Sequence, residues 1–294
     1  MQVLWMVLAA FFFATMGVSI KFAAEHFNTA EIIFYRGLIS MALLWALARG
    51  QGVALRTSYP MMHAWRSLVG VVSMAAWFYA ISKLPLATAM TLNYMSSLWI
   101  AAFMVGGALM AWRPSPETPR PALHTPVMVS LLVGFVGVVL MMRPSLGADQ
   151  ALAGVVGLMS GMISALAYMQ VVALSRLGEP EQRVVFYFSV GSAVAGGLGM
   201  LFVGVSDFAG WHTLWLLPVG LFAAGGQLCM TRAYANAMTR RATLVVANLQ
   251  YSGIAFGGAY SVLVFGDVIE PMGWIGMALI VGSGIAATVL RARN

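Results

Sequence analysis

Hydrophobic residues run along this chain in long blocks separated by short polar breaks, and most blocks have about the 17 to 25 residues that a helix needs to cross a bilayer. Ten can be marked: residues 4–22, 30–48, 64–81, 86–110 and 127–142, then 151–174, 184–205, 214–234, 242–265 and 272–290, the fifth being slightly short. The first has no basic leader and no early small-residue cleavage site, and it continues to Lys21, so it is expected to be a span and not a cleaved signal. Two blocks are interrupted by polar residues. Asn93, Tyr94, Ser96 and Ser97 break the fourth, and Asn248, Gln250, Tyr251 and Ser252 break the ninth, about half a chain later.

Composition agrees with the pattern. The 294 residues are 61% hydrophobic and 9% charged, where soluble domains carry about 25% charged residues. The expected class is therefore an all-α integral membrane protein in a lipid bilayer, with ten transmembrane helices. Cys229 stands alone in an apolar run, which excludes an intrachain disulfide and a thiolate metal cluster. The net charge of +7 gains meaning from its placement and gives no sign of nucleic acid. Of the 16 basic residues, Lys21, Lys83 and Arg143 fall at one set of span ends and Arg36 within a span, while the other 12, Arg66 among them, fall at the opposite set. That asymmetry puts both termini in the cytoplasm.

Ten spans divide into two fives, and because five is odd the halves must enter the membrane inverted. The expected units are 1–146 and 147–294, two inverted five-helix repeats of the kind that carriers use to rock about a central site. The longest loop, 112–126, is proline-rich and serves as a connector, too short for a soluble catalytic domain. No Gly-x-Ser-x-Gly, paired intramembrane aspartates or His-Glu-x-x-His occurs, so an enzyme is not expected. A small-molecule substrate, no cofactor, no metal and a monomeric state are expected.

Polar groups at membrane depth face a cavity or another helix. The candidate substrate-binding set is Asn93, Tyr94 and Ser97 on the fourth span and Asn248 and Tyr251 on the ninth, with Trp77 and Tyr79 on the third, Tyr168 on the sixth and Gln227 on the eighth. Aromatic walls with a few amides and hydroxyls suit a zwitterion; interhelical hydrogen bonding is the structural alternative. Arg36 needs a partner, either a substrate carboxylate or a structural one such as Glu31, Glu25 or a backbone carbonyl. It is the only arginine placed deep by sequence, which disfavours phosphorylated substrates. No Asp, Glu or His lies deep in a span, so facilitated, gradient-driven movement is expected in preference to proton coupling. Gly157 with Gly161, Gly253 with Gly257, and Gly196, Gly197, Gly199, Gly225 and Gly226 serve either close packing or flexing.

The segments FYRGLISMALL around Arg36, YAISKLPLATAMTL between the third and fourth spans, and FGDVIEPMGWIGMALIVGSGI between the ninth and tenth resemble the EamA-type drug/metabolite transporters. Gly266 and Asp267 stand where that family usually has Gly-Glu, and Trp274, Gly276 and Gly282 match its last helix. The resemblance spans the whole chain and implies ten helices in two five-helix repeats, no enzyme activity, and a place in the bacterial inner membrane. Within the family the chain is most similar to the YddG-type exporters, which implies export of aromatic and other amino acids by alternating access. A carrier of another small metabolite or drug, or a proton-coupled antiporter, is the alternative. Many members carry proline in the middle of helices four and nine; Ser97 and Tyr251 occupy those places here, so no proline kink is expected.

Overall fold

The computed structural model describes residues 2–100, 102–103, 129, 132–134, 136–137, 140, 148–237 and 239–292. The fifth predicted span, the second half of the fourth and the 112–126 connector lie largely outside them. The described residues form helices α1 (Gln2–Ala23), α2 (Thr29–Gly50), α3 (Pro60–Lys83), α4 (Leu86–Tyr94), α5 (Ala148–Arg176), α6 (Glu181–Val203), α7 (Leu216–Ala235), α8 (Arg240–Leu249), α9 (Ser252–Leu263) and α10 (Pro271–Ala292), with no strand among them. Six are long and apolar enough to cross a membrane: α1, α2, α3, α5, α6, and α7 with the 3-10 turn Gly210–Trp215 before it.

Local chemistry sets the helix starts. At α2, Asn28 Oδ1 accepts from the Glu31 backbone N–H at 3.1 Å while the Asn28 N–H donates to Glu31 Oε2 at 3.0 Å, a reciprocal cap. The same carboxylate accepts from the N–H and the hydroxyl of Ser206, tying the start of α2 to the segment after α6. α3 and α10 open on Pro60 and Pro271, where a missing N–H costs nothing.

The most extensive helix pairings are α2 with α6, α1 with α7 and α3 with α5, followed by α2 with α7, α3 with α6, α1 with α9, and α4 with both α9 and α5. Glycine explains how close the first pair comes. A Cβ at Gly37 would run into the Ala193 backbone, and one at Gly196 into the Phe34 backbone, so α2 and α6 touch main chain to main chain. Gly161 lies likewise against the Leu92 and Asn93 carbonyls, and Gly253 and Gly257 against Tyr94 and Met90. These glycines, together with Gly157 against Leu92 and Ala80, and Gly225 and Gly226 against Phe12 and Phe13, serve packing. Large apolar side chains such as Trp45, Leu68, Val72 and Leu198 remain exposed, as lipid-facing positions do.

The fourth and ninth predicted spans are both broken in the middle without any proline. α4 stops at a turn on Met95 and helix resumes at Ser96, while α8 and α9 are separated by Gln250 and Tyr251. At both breaks the ladder tightens to i→i−3 bonds, with Leu98 N donating to Met95 O at 2.9 Å and Gly253 N to Gln250 O at 2.9 Å. Polar side chains attend to the disrupted main chain. Ser97 Oγ donates to Ala247 O at 2.8 Å, and Ser252 Oγ to Leu249 O at 2.7 Å. Ser96 Oγ donates to Gln250 Oε1 at 3.4 Å, so the two breaks are stitched to each other.

Gly37→Val should force α2 off α6 and destabilise the fold by about 1–3 kcal/mol or more. Gly50→Ala, with open space around it, should leave it unchanged; unfolding midpoints in detergent micelles compare the two.

Candidate functional site

A cavity opens between the first seven helices. α3 contributes most of one wall: Arg66, Gly70, Ser73, Met74 and Trp77 recur at helical spacing and so share a face. Phe13 and Met16 enter from α1, Arg36 from α2, Asn93 and Tyr94 from α4, Ser164, Ala167 and Tyr168 from α5, Phe188 from α6 and Gln227 from α7.

A serine and amide network holds one side. Asn93 Nδ2 donates to Ser160 Oγ at 2.9 Å and Ser164 Oγ at 3.3 Å, and Ser73 Oγ donates to Ser160 O at 2.9 Å and lies 2.5 Å from Ser164 Oγ. Tyr168 stacks on Tyr234, whose hydroxyl accepts from Gln250 Nε2 at 2.8 Å, linking the cavity to the break in the ninth span. Trp77 presents its edge to Phe13, and its indole N–H is buried without a partner among the described residues.

The opposite side is cationic. Arg36 and Arg66 are each 2% exposed, and their guanidinium carbons lie 5.0 and 4.2 Å from the centre of the Phe188 ring. Arg36 donates to Ser192 Oγ at 3.2 Å and Arg66 reaches Gln227 Oε1 at 3.5 Å. Glu31, a sequence candidate to pair with Arg36, is instead taken up by Asn28 and Ser206.

Of the residues singled out by sequence, Trp77, Asn93, Tyr94, Tyr168, Gln227 and Arg36 therefore line one cavity. Ser97 is committed to the Ala247 carbonyl, and Tyr79 and Tyr251 pack with the surrounding core without lining it. Asn248 lies on α8, and its side chain is outside the described ones. Arg66 corrects the sequence reading, which left it at a cytoplasmic helix end. It lies about two turns into α3 and folds inward. The signal was available: Arg66 stands on the same helical face as Trp77.

Ionic clasps flank the cavity at both ends of the bundle. At one, Glu179, between α5 and α6, accepts from Thr57 Oγ1 at 2.9 Å and Arg183 at 3.2 Å and lies 3.1 Å from His63 Nε2, fastening the α2–α3 loop. Arg232 pairs with Glu181 and lies over the Trp5 ring nearby. At the other end Lys21 approaches Asp267 at 3.8 Å and lies over the Phe265 ring. Burial alone would push the Glu179 carboxyl up, but its bonds to His63, Thr57 and Arg183 outweigh that and hold it below its ordinary value.

Residues 1–143 match the EamA-like transporter family. Over 289 residues the chain is 31% identical to the pseudopaline exporter CntI of Pseudomonas aeruginosa, covering 97% of this chain and 94% of that one. It is 27% identical over 288 residues to an uncharacterized transporter of Helicobacter pylori, covering 95% and 91%. A solved crystal structure superposes with a TM-score of 0.68 at 19% identity, covering 99% of this chain and 98% of the other, a likeness of fold.

The depressed Glu179 pKa fixes the sign of a pH effect. Its clasp contributes fully above the unfolded carboxyl value of about 4.3 and is lost as pH falls through the lower folded value. Glu179→Gln should thus lower the unfolding midpoint at neutral pH, with the gap from wild type closing below about pH 4 as that value is crossed; thermal unfolding across a pH series measures it.

Proposed function

Since the chain belongs to the EamA-like transporter family, we propose that it exports amino acids and related small metabolites from the cytoplasm by alternating access. At the coarser level it is a transporter and a multi-pass protein of the bacterial inner membrane. The observation that carries the export reading is the cavity itself. Aromatic and amide side chains converge on a partly open cavity at the level where the broken fourth span meets the sixth, a setting that suits a metabolite with an apolar body and polar ends. The similarity to a pseudopaline exporter supports outward movement of a small metabolite.

Ten spans in two inverted repeats, 1–146 and 147–294, belong to the same proposal. Its support is the pairing pattern. If each helix of the first half has an equivalent five spans later, then α1 against α7 is equivalent to α5 against α3, α2 against α7 to α6 against α3, and α1 against α9 to α5 against α4. The α2–α6 pair and the pair of broken helices are then their own equivalents, on the pseudo-two-fold axis. Two halves so related can open the cavity to one side or the other, with the ionic clasps as gates. Transport down the substrate gradient fits a cavity lined by no carboxylate or histidine among the described residues.

Liposomes containing the purified protein should show saturable flux of labelled amino acids, with Trp77→Ala lowering it about tenfold or more by removing a wall of the cavity. Flux that depended on an imposed pH gradient at fixed membrane potential would instead favour proton coupling. No flux of any amino acid class by well-folded protein would shift the reading to another metabolite.

A further inference from the structure

Two guanidinium groups share the cavity, and no carboxylate among the described residues answers them. Arg36 comes from about two turns into α2 and Arg66 from α3, and both approach the Phe188 ring of α6. Their few hydrogen bonds are to neutral groups, Ser192 and Gln227. Arg36 Nε and the Nε and Nη1 atoms of Arg66 are buried and have no partner among the described residues. The neighbouring acids are engaged elsewhere: Glu31 with Ser206, Glu179 with His63 and Arg183, Glu181 with Arg232, and Asp267 with Lys21.

Burying a cation at membrane depth is costly, and placing two together adds repulsion. A helix bundle could avoid both costs with apolar residues unless something passing through supplies the counter-charge. The chain also makes room for the arrangement. Gly70 lies one turn after Arg66, and a Cβ there would collide with Arg66 Nη1 and the Phe188 ring, so glycine lets the guanidinium fold back over its own helix into the cavity.

We propose that Arg36 and Arg66 form the anion-binding wall of the cavity and that the substrate carries two carboxylate groups, with a net negative charge, in place of the neutral zwitterion that the aromatic lining alone suggests. This rests on the transporter reading above and narrows its substrate class. Each guanidinium is a planar fork suited to one carboxylate, and the two stand on different helices. The fork fits phosphate as well as carboxylate, so phosphoserine is the competing ligand below; two forks carried on separate helices suit two anionic groups held apart. Phe188, which both guanidiniums approach, would then face the short carbon skeleton between the charged ends.

Direct binding to the purified protein in detergent micelles tests this, using labelled glutamate and succinate against phenylalanine and phosphoserine. Arg36→Gln and Arg66→Gln should each weaken binding of the dicarboxylates about tenfold or more while changing phenylalanine binding by less than about threefold, and Arg66→Lys should recover part of the loss. Gly70→Ala keeps both charges yet displaces Arg66, and should reproduce the Arg66→Gln loss. Arg49→Gln, at an exposed position, should change nothing. The proposal is overturned if the wild type fails to bind either dicarboxylate or prefers phosphoserine. It is equally overturned if monodisperse Gln variants bind dicarboxylates as the wild type does. Vesicle flux separates it from the reading beneath it. Dicarboxylates that bind in micelles but never cross a bilayer would overturn their export and leave the anion site standing, whereas selective passage of phenylalanine would do the reverse.

Discussion

Hydrocarbon offers no hydrogen-bond partners, so every backbone group and polar side chain held at membrane depth must find its partner within the chain or line a space that supplies one. The consequences differ from place to place in this protein. Along α1 the helical ladder itself suffices, and the sequence can be apolar almost throughout. At Met95 and at Gln250–Tyr251 the ladder is interrupted, and there Ser96, Ser97 and Gln250 appear, each bonded across to the other break or to a neighbouring helix. Around the cavity the requirement is only partly met from within: Arg36, Arg66, Trp77 and Tyr94 each keep a buried polar atom with no hydrogen-bond partner among the described residues.

The six membrane-length helices were legible because hydrophobic block length is a direct record of bilayer thickness. The interrupted fourth and ninth spans were visible as well, since amides and serines in an apolar run have few purposes. Their backbone breaks were not. Without proline the sequence offered no reason to expect an interruption, and the structure shows tightened turns at both places, stitched together by serine and glutamine. Composition could not distinguish glycines that flex from glycines that pack. Only the closeness of the Ala193 and Phe34 backbones to Gly37 and Gly196 shows what those two are for.

Arg66 shows how a rule that works for topology can hide chemistry. Counting arginines near helix ends sorts the two membrane faces well, yet a long side chain can begin near an end and finish in the interior. The direction it takes depends on what its own helix leaves open one turn away, here the missing Cβ of Gly70. Ser73 and Ser164 escaped notice for a different reason. Small hydroxyls are common in membrane helices, and only their convergence with Asn93 distinguishes these from ordinary packing residues.

The main-chain contact between α2 and α6 limits how the protein can move. Two helices whose backbones meet at Gly37 and Gly196 resist sliding lengthwise without first separating, but they can swivel like the blades of scissors about that crossing. Arg36 adjoins Gly37 on this crossing and is bonded to Ser192 on the other blade, so it sits at the fulcrum, where displacement is smallest. Arg66, carried on α3, rides farther out on the lever. Any rocking of the bundle would therefore change the spacing of the two guanidiniums, and a cargo that spans them would feel the motion of the protein through its own length.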